Sequence, residues 1–84
     1  KSEFRAHDEA ITALAFHPNR PLVATAGDDL TIKIWNHETG RQVWQVIGPT
    51  RSPTRLVFSP SGRRLASVEQ GSHVRVWELP DLKD

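Results

Sequence analysis

The sequence contains no cysteine, no methionine and no tyrosine. Without cysteine there is no disulfide to staple a small fold, and no thiolate set for a zinc finger. No apolar run approaches the ~20 residues of a membrane-spanning helix. The opening residues, Lys1-Ser-Glu-Phe-Arg-Ala-His7, have no apolar core of a secretion signal. Methionine is missing even at position 1, which reads as a processed or excised piece. The compartment is therefore unknown, with cytoplasmic only a default. No sustained 3.6-residue period of apolar side chains occurs, so little or no helix is expected. Nor is there an excess of charge of one sign. Eleven basic and ten acidic residues are interspersed and give a net charge of +1. That argues against nucleic-acid and membrane-surface partners, both of which need a concentrated basic face.

What is present is a chain of 84 residues, 37% hydrophobic and 25% charged, a globular rather than a disordered composition. A chain this short buries a modest share of its surface and is marginal unless stapled, metallated or oligomerised.

A repeat organises it. An offset of 42 residues aligns Ile11-Thr-Ala-Leu-Ala-Phe-His-Pro18 with Pro53-Thr-Arg-Leu-Val-Phe-Ser-Pro60. The same offset pairs Val23-Ala24-Thr25 with Leu65-Ala66-Ser67, and Ile32-Lys33-Ile34-Trp35 with Val74-Arg75-Val76-Trp77, without a gap. Each unit holds short runs rich in β-branched and aromatic residues, separated by turn signals. In the first unit Ile11–Phe16, Leu22–Ala26, Leu30–Trp35 and Gln42–Ile47 are predicted strands. Between them lie His17-Pro-Asn-Arg-Pro21, Gly27-Asp-Asp29 and Asn36-His-Glu-Thr-Gly40 as turns. Four antiparallel strands per ~40 residues make one blade of a β-propeller. The expected fold class is all-β, with two blades per chain.

These residues resemble the WD40 family. Its pattern of Gly-His, V-x-x-V-x-F-S-P-x-G and L-A-S-G-S-x-D-x-T-V-x-x-W-D is matched by Ala6-His7, Ile11 to Pro18, Val23 to Asn36, and again by Leu56 to Gly62, Leu65-Ala66-Ser67 and Val74 to Glu78. The resemblance implies a buried hydrogen-bonded tetrad in the first unit, His7, Thr25, Asp29 and Trp35. In the second unit Pro49 and Gly71 replace the histidine and aspartate, leaving the partial tetrad Ser67 and Trp77, with His73 nearby as a partial substitute.

The repeat also sets the phase of the ends. From Trp35 to Pro49 is 14 residues, and reading from Trp77 through Asp84 into Lys1 reaches His7 after the same number. Residues Lys1, Ser2, Glu3, Phe4 and Arg5 then read as an assembly strand for a neighbour's second blade, with Phe4 in the slot of Val46. Residues 6–47 form blade one and 48–84 blade two. An isolated chain would leave an open strand edge and open apolar faces, and a head-to-tail ring would cover them. The expected partner is the chain itself, as a homotetramer of eight blades, or a homotrimer of six. Ends matched in phase and gapless repeats suggest an engineered or trimmed repeat, and the alternative is a two-blade fragment of a larger natural protein that binds proteins or peptides.

Candidate chemistry is sparse. His7, Asp29 and Thr25 superficially resemble a hydrolase triad, but the tetrad accounts for the same residues and the nucleophile would be a buried threonine. No enzymatic activity is expected. His7, His17, His37 and His73 lack metal-ligand spacing, and no Gly-rich phosphate loop occurs, so neither metal nor cofactor is expected. The resemblance places Arg51 and Arg55 at the top loop and the innermost strand, where copies could form a pore that attracts an anion. Solvated arginines around a wet pore are the plainer alternative. Arg63-Arg64 reads as a solubility feature, and Trp44 as a packing residue.

Overall fold

Alternation of branched or aromatic residues with small or polar ones gives seven strands, interrupted wherever proline, glycine or aspartate favours a turn. The computed structural model describes residues 3, 5–7, 9–48, 51–69 and 73–82. Its strands are β1 (Ile11–Phe16), β2 (Leu22–Gly27), β3 (Ile32–Asn36), β4 (Arg41–Val46), β5 (Pro53–Phe58), β6 (Arg64–Glu69) and β7 (His73–Glu78). They form a four-stranded antiparallel sheet, β1-β2-β3-β4, and a three-stranded one, β5-β6-β7. Among the described residues no strand pairs with the outer edge of β7.

The sequence repeat is also a repeat of geometry. A bulge between Ile11 and Ala13 recurs between Pro53 and Arg55. The His17 amide donates to the Leu22 carbonyl and the Ser59 amide to that of Arg64, both at 2.9 Å. The next turn repeats too, with His37 donating to Pro21 at 3.0 Å and Leu79 to Arg63 at 2.9 Å. One expectation is corrected. Leu30 does not open the third strand but adopts φ 64° in the turn before it, donating to the Gly27 carbonyl at 3.1 Å. The strand starts at Ile32 because the Asp29 carboxylate caps the Thr31 amide at 3.1 Å and holds the turn closed.

Blades stack face to face, through β1 and β2 of the first sheet and β5 of the second. The seam is asymmetric in size. Blade one offers Ala24, Ala26, Ile32 and Ile34 with half-buried Ala13 and Ala15, and blade two inserts Leu56, Phe58 and Leu65. Small residues in β1 and β2 let the second sheet come close enough for its large side chains to be enclosed. All six residues of β2 are buried, and on its opposite face Val23 packs in a second cluster with Ala6 and Trp35.

At one corner of the seam the His17 ring lies edge-on to Phe58, centroids 5.1 Å apart, and rests on Gly62. His17 Nδ1 accepts the amides of Asn19 and Arg20 at 3.1 and 3.2 Å, which requires that nitrogen to be unprotonated. Burial, partly offset by a hydrogen bond with the Gly62 backbone and reinforced by nearby Arg20, pushes the imidazole pKa down.

Gly62 and Gly40 both sit in the left-handed region, at φ 76° and 79°, but only Gly62 lies under a side chain. Alanine at Gly40 should cost about 1–2 kcal/mol for the backbone alone. At Gly62 it should cost measurably more, because the new Cβ takes the place of the His17 ring. Urea unfolding of the two variants checks the order, and equal losses would remove His17 from the seam.

Candidate functional site

The densest polar cluster ties residues 6–7 to β2 and β3. His7 is 6% exposed and Thr25 4%. His7 Nδ1 lies 2.9 Å from Asp29 Oδ2 and 3.1 Å from Oδ1, and its Nε2 lies 2.8 Å from Thr25 Oγ1. Trp35 Nε1 donates to that same hydroxyl at 3.0 Å. One assignment of protons satisfies every group. Trp35 N–H donates to Thr25, the Thr25 hydroxyl donates to Nε2 of a neutral imidazole, and Nδ1–H donates to Asp29. The four residues named from the sequence are therefore brought together in one chain of hydrogen bonds.

Thr31 joins them, its hydroxyl donating to Asp29 Oδ1 at 2.7 Å and lying 3.1 Å from His7 Nδ1. Burial, the largest single influence, raises the pKa of Asp29. The hydrogen bonds from His7 and from the hydroxyl and amide of Thr31 together outweigh it and leave the carboxyl below its ordinary value. Lys33 completes the surround, its Nζ donating to the Ala6 carbonyl at 3.2 Å and lying 5.8 Å from the Trp35 ring centroid. Chemically the cluster is a clasp with a solvent-shielded hydroxyl. Thr25 Oγ is engaged on both sides, by the imidazole and by the indole, and the residue is buried.

Gly27 explains why a histidine fits. A Cβ there would meet His7 Cγ at 3.0 Å, so a larger residue would require the imidazole to shift by a few tenths of an ångström. In blade two the equivalent position carries Glu69, 1% exposed, and its Oε2 lies 2.6 Å from Arg75 Nε. This is a close ion pair and not a well-aligned hydrogen bond. Trp77 Nε1 donates to the fully buried Ser67 hydroxyl at 3.2 Å. Gly48, at the place of Ala6, lies under Trp77, where a Cβ would meet Cη2 at 2.6 Å. Pro49 and Gly71 lie outside the described residues. His73 is exposed at the start of β7, and it is Arg75 that pairs with Glu69. Sequence reasoning missed Glu69 and Arg75, although a glycine-to-glutamate change beside a lost histidine was visible at the repeat spacing.

Other predicted positions stand apart. Arg51 and Arg55 are exposed and belong to neither network, and Glu9 and Ala13 hold their places in blade one. Glu3 and Arg5 are exposed and in neither sheet, while Lys1, Ser2 and Phe4 lie outside the described residues. Trp44 is half-buried against the shared core. A cleft of about 540 Å³ opens between the β1–β2 turn, the β5–β6 turn and residues 79–82, lined by His17, Arg20, Ser61, Arg63 and Asp81 among others. None of the four tetrad residues lines it. No group of three or more histidines and carboxylates suited to a metal occurs among the described residues.

Thr25→Val should destabilise more than Ser67→Ala. The first strands both the Trp35 N–H and His7 Nε2, at about 1–3 kcal/mol each, and the second strands one N–H. Because the Asp29 pKa is lowered by folding, its contribution is present above about pH 4 and is lost as pH falls below that. Thermal melting between neutral and acid pH checks both points, and Asp29→Asn should flatten the acid limb.

The arrangement has known counterparts. The family described as WD domain, G-beta repeat matches residues 1–36 and 40–78. Coronin-7 of Mus musculus is 38% identical over 73 residues, covering 86% of this chain and 8% of that protein. U3 small nucleolar RNA-associated protein 21 of Saccharomyces cerevisiae is 40% identical over 73 residues, covering 87% and 8%. The probable cytosolic iron-sulfur protein assembly protein Ciao1 of Culex quinquefasciatus is 37% identical over 76 residues, covering 86% and 22%. The chain thus spans less than a quarter of these relatives. Among solved structures, U3-55K superposes with a TM-score of 0.80 at 26% identity, covering 88% of this chain and 24% of that one. The computationally designed Ika4 protein does so at 0.73 and 32%, covering 88% and 44%. Two matched repeats over most of its length place the chain in the WD40 family.

Proposed function

We propose that the 84-residue chain is a non-catalytic propeller scaffold that closes a ring with copies of itself. One observation carries this reading. Equivalent residues of the two blades have opposite exposures. Leu56 and Phe58 are 6% and 9% exposed, whereas Leu14 and Phe16, at the same repeat positions, are 56% and 66% exposed. On the other side Ile32 and Ile34 are fully buried, whereas Val74 and Val76 are 61% and 59% exposed. Blade one therefore carries an uncovered copy of the face that blade two buries, and blade two an uncovered copy of the face that blade one buries. A second chain presents each face with its complement, in the geometry already used inside the chain.

Such a contact is heterologous and closes by rotation. Covering each large apolar side chain contributes roughly 1.5–3 kcal/mol, which a chain without disulfides needs. Four chains give eight blades and three give six; four is preferred. The residues 1–5 act in this proposal as the outer strand of the neighbour's second blade, against β7. Residues 6–47 and 48–84 are the two blades. His7, Thr25, Asp29 and Trp35 serve as the clasp of the first, and Ser67 and Trp77 as its remnant in the second. The likeness to Ika4 supports an engineered or trimmed repeat. Arg51 and Arg55 are solvated, offset by Glu9 at the matching place in blade one.

The relatives' greater length favours a second reading. In it the chain is part of a larger WD40 protein, whose further blades cover the same faces and whose loops bind proteins or peptides.

Sedimentation of the 84-residue chain separates the two. A species of four times 9.5 kDa is expected, three times supports the six-bladed ring, and a monomer at all concentrations rejects self-assembly. Removing residues 1–5 should abolish the ring. A ring that survives the deletion would reject strand exchange while leaving face packing in place.

A further inference from the structure

The contact between copies is not a repeat of the contact between blades, and one cross-strand pair makes the difference. In blade one Leu22 and Asn36 face each other across β2 and β3, at 0% and 2% exposure. Leu22 belongs to the core cluster that encloses Phe58. Their equivalents across β6 and β7 are Arg64 and Glu78. That pair is joined at 2.7 Å between Arg64 Nε and Glu78 Oε2, with side chains 62% and 73% exposed. The neighbouring residue changes as well. His17, which meets the Phe58 ring, is replaced by Ser59, whose hydroxyl accepts the Arg64 amide at 3.1 Å.

Carried over to a second copy, the ring that takes the place of Phe58 is Phe16. It is 66% exposed, with one edge contact to His37 at 5.9 Å between centroids. It arrives where Ser59 is too small to meet it and where a guanidinium stands in place of the Leu22 side chain.

We propose that Arg64 stacks on the Phe16 ring of a second copy and sets the strength and salt dependence of the copy-to-copy contact. This rests on the self-assembly reading above and adds its chemistry. A guanidinium over an aromatic face is attracted by the ring quadrupole, and an exposed one is weakened by salt. Glu78 competes for the same cation. At this corner the seam within the chain is closed by Leu22 and the His17 ring and the seam between chains by a cation, so the ring dissociates into intact blade pairs before the blades separate.

The test is a dilution series followed by sedimentation, at about 50 and about 500 mM NaCl, a range over which the Debye length shrinks several-fold. The wild-type ring should dissociate at several-fold higher concentration in the higher salt. Arg64→Leu, which places the Leu22 side chain at this position, should remove that salt dependence and hold the ring to at least tenfold lower concentration than wild type in high salt. Glu78→Gln should strengthen the wild-type contact several-fold by removing the competitor. Phe16→Ala should abolish assembly while its circular dichroism melt stays that of a folded chain. If wild type assembles and both Arg64→Leu and Glu78→Gln match it at both salts, the role of Arg64 is rejected and self-assembly stands. If neither wild type nor Arg64→Leu exceeds 9.5 kDa at any concentration, self-assembly is rejected and the Arg64 contact with it.

Discussion

A β-sheet of this kind has two apolar faces, and everything else in the molecule follows from the need to cover both. The seam made by Leu56, Phe58 and Leu65 against Ala24, Ala26, Ile32 and Ile34 covers one face of each blade. It dictates the small residues in β1 and β2, since a larger side chain at Ala24 or Ala26 would hold the second sheet away. It also dictates the composition of the far faces. Leu14 and Phe16 are kept apolar at positions where an isolated sheet would be better served by polar residues. A two-blade unit has one satisfied seam and two half-seams that leave apolar side chains exposed.

Within each blade a different interaction fixes the strands. Blade one uses a relay from Trp35 through Thr25 and His7 to Asp29, every member with a partner. A fully satisfied buried network rigidifies what it joins, here residues 6–7, β2 and the β2–β3 turn. Blade two keeps only the indole-to-hydroxyl bond and places a buried carboxylate beside a guanidinium. An ion pair with one buried partner is less dependable, because desolvating the carboxylate offsets much of the attraction. Blade two depends more heavily on its seam with blade one than blade one does on the reverse.

Much of this was legible in the sequence, and the reasons are specific. Strand positions follow from period-two alternation, and the gapless spacing puts Trp35 and Trp77, or Thr25 and Ser67, in equivalent places. The tetrad residues were readable because hydrogen-bonding side chains at a turn and on adjacent strands stand at family positions. Leu30 was misread because an aliphatic residue before a β-branched run looks like a strand start, while its φ is set by the Asp29 cap. Glu69 and Arg75 were missed because a charged pair on adjacent strands reads as a solvated surface. Only the carboxylate is buried, at 1% exposure against 36% for the Arg75 side chain. The seam corner at His17 and Gly62 depends on two turns that are 45 residues apart, and no local pattern brings them together.

Equal spacing does not make equal interfaces, and this bears on what a ring of such units would be. Gapless repetition places backbone on backbone, so any blade can stack on any other as far as the strands are concerned. Side chains then rank the contacts. Leucine, asparagine and histidine close the corner within the chain, where arginine, glutamate and serine stand at the outward-facing equivalents. A chain whose inner seam is tighter than its outer one folds its own two blades together before it meets a partner. Assembly from such chains would preserve an even blade number, because the polypeptide itself joins the two blades. In a ring of such units blade parity would be fixed by the two blades of each chain, and the difference between Leu22 and Arg64 would bear on how firmly one chain holds the next.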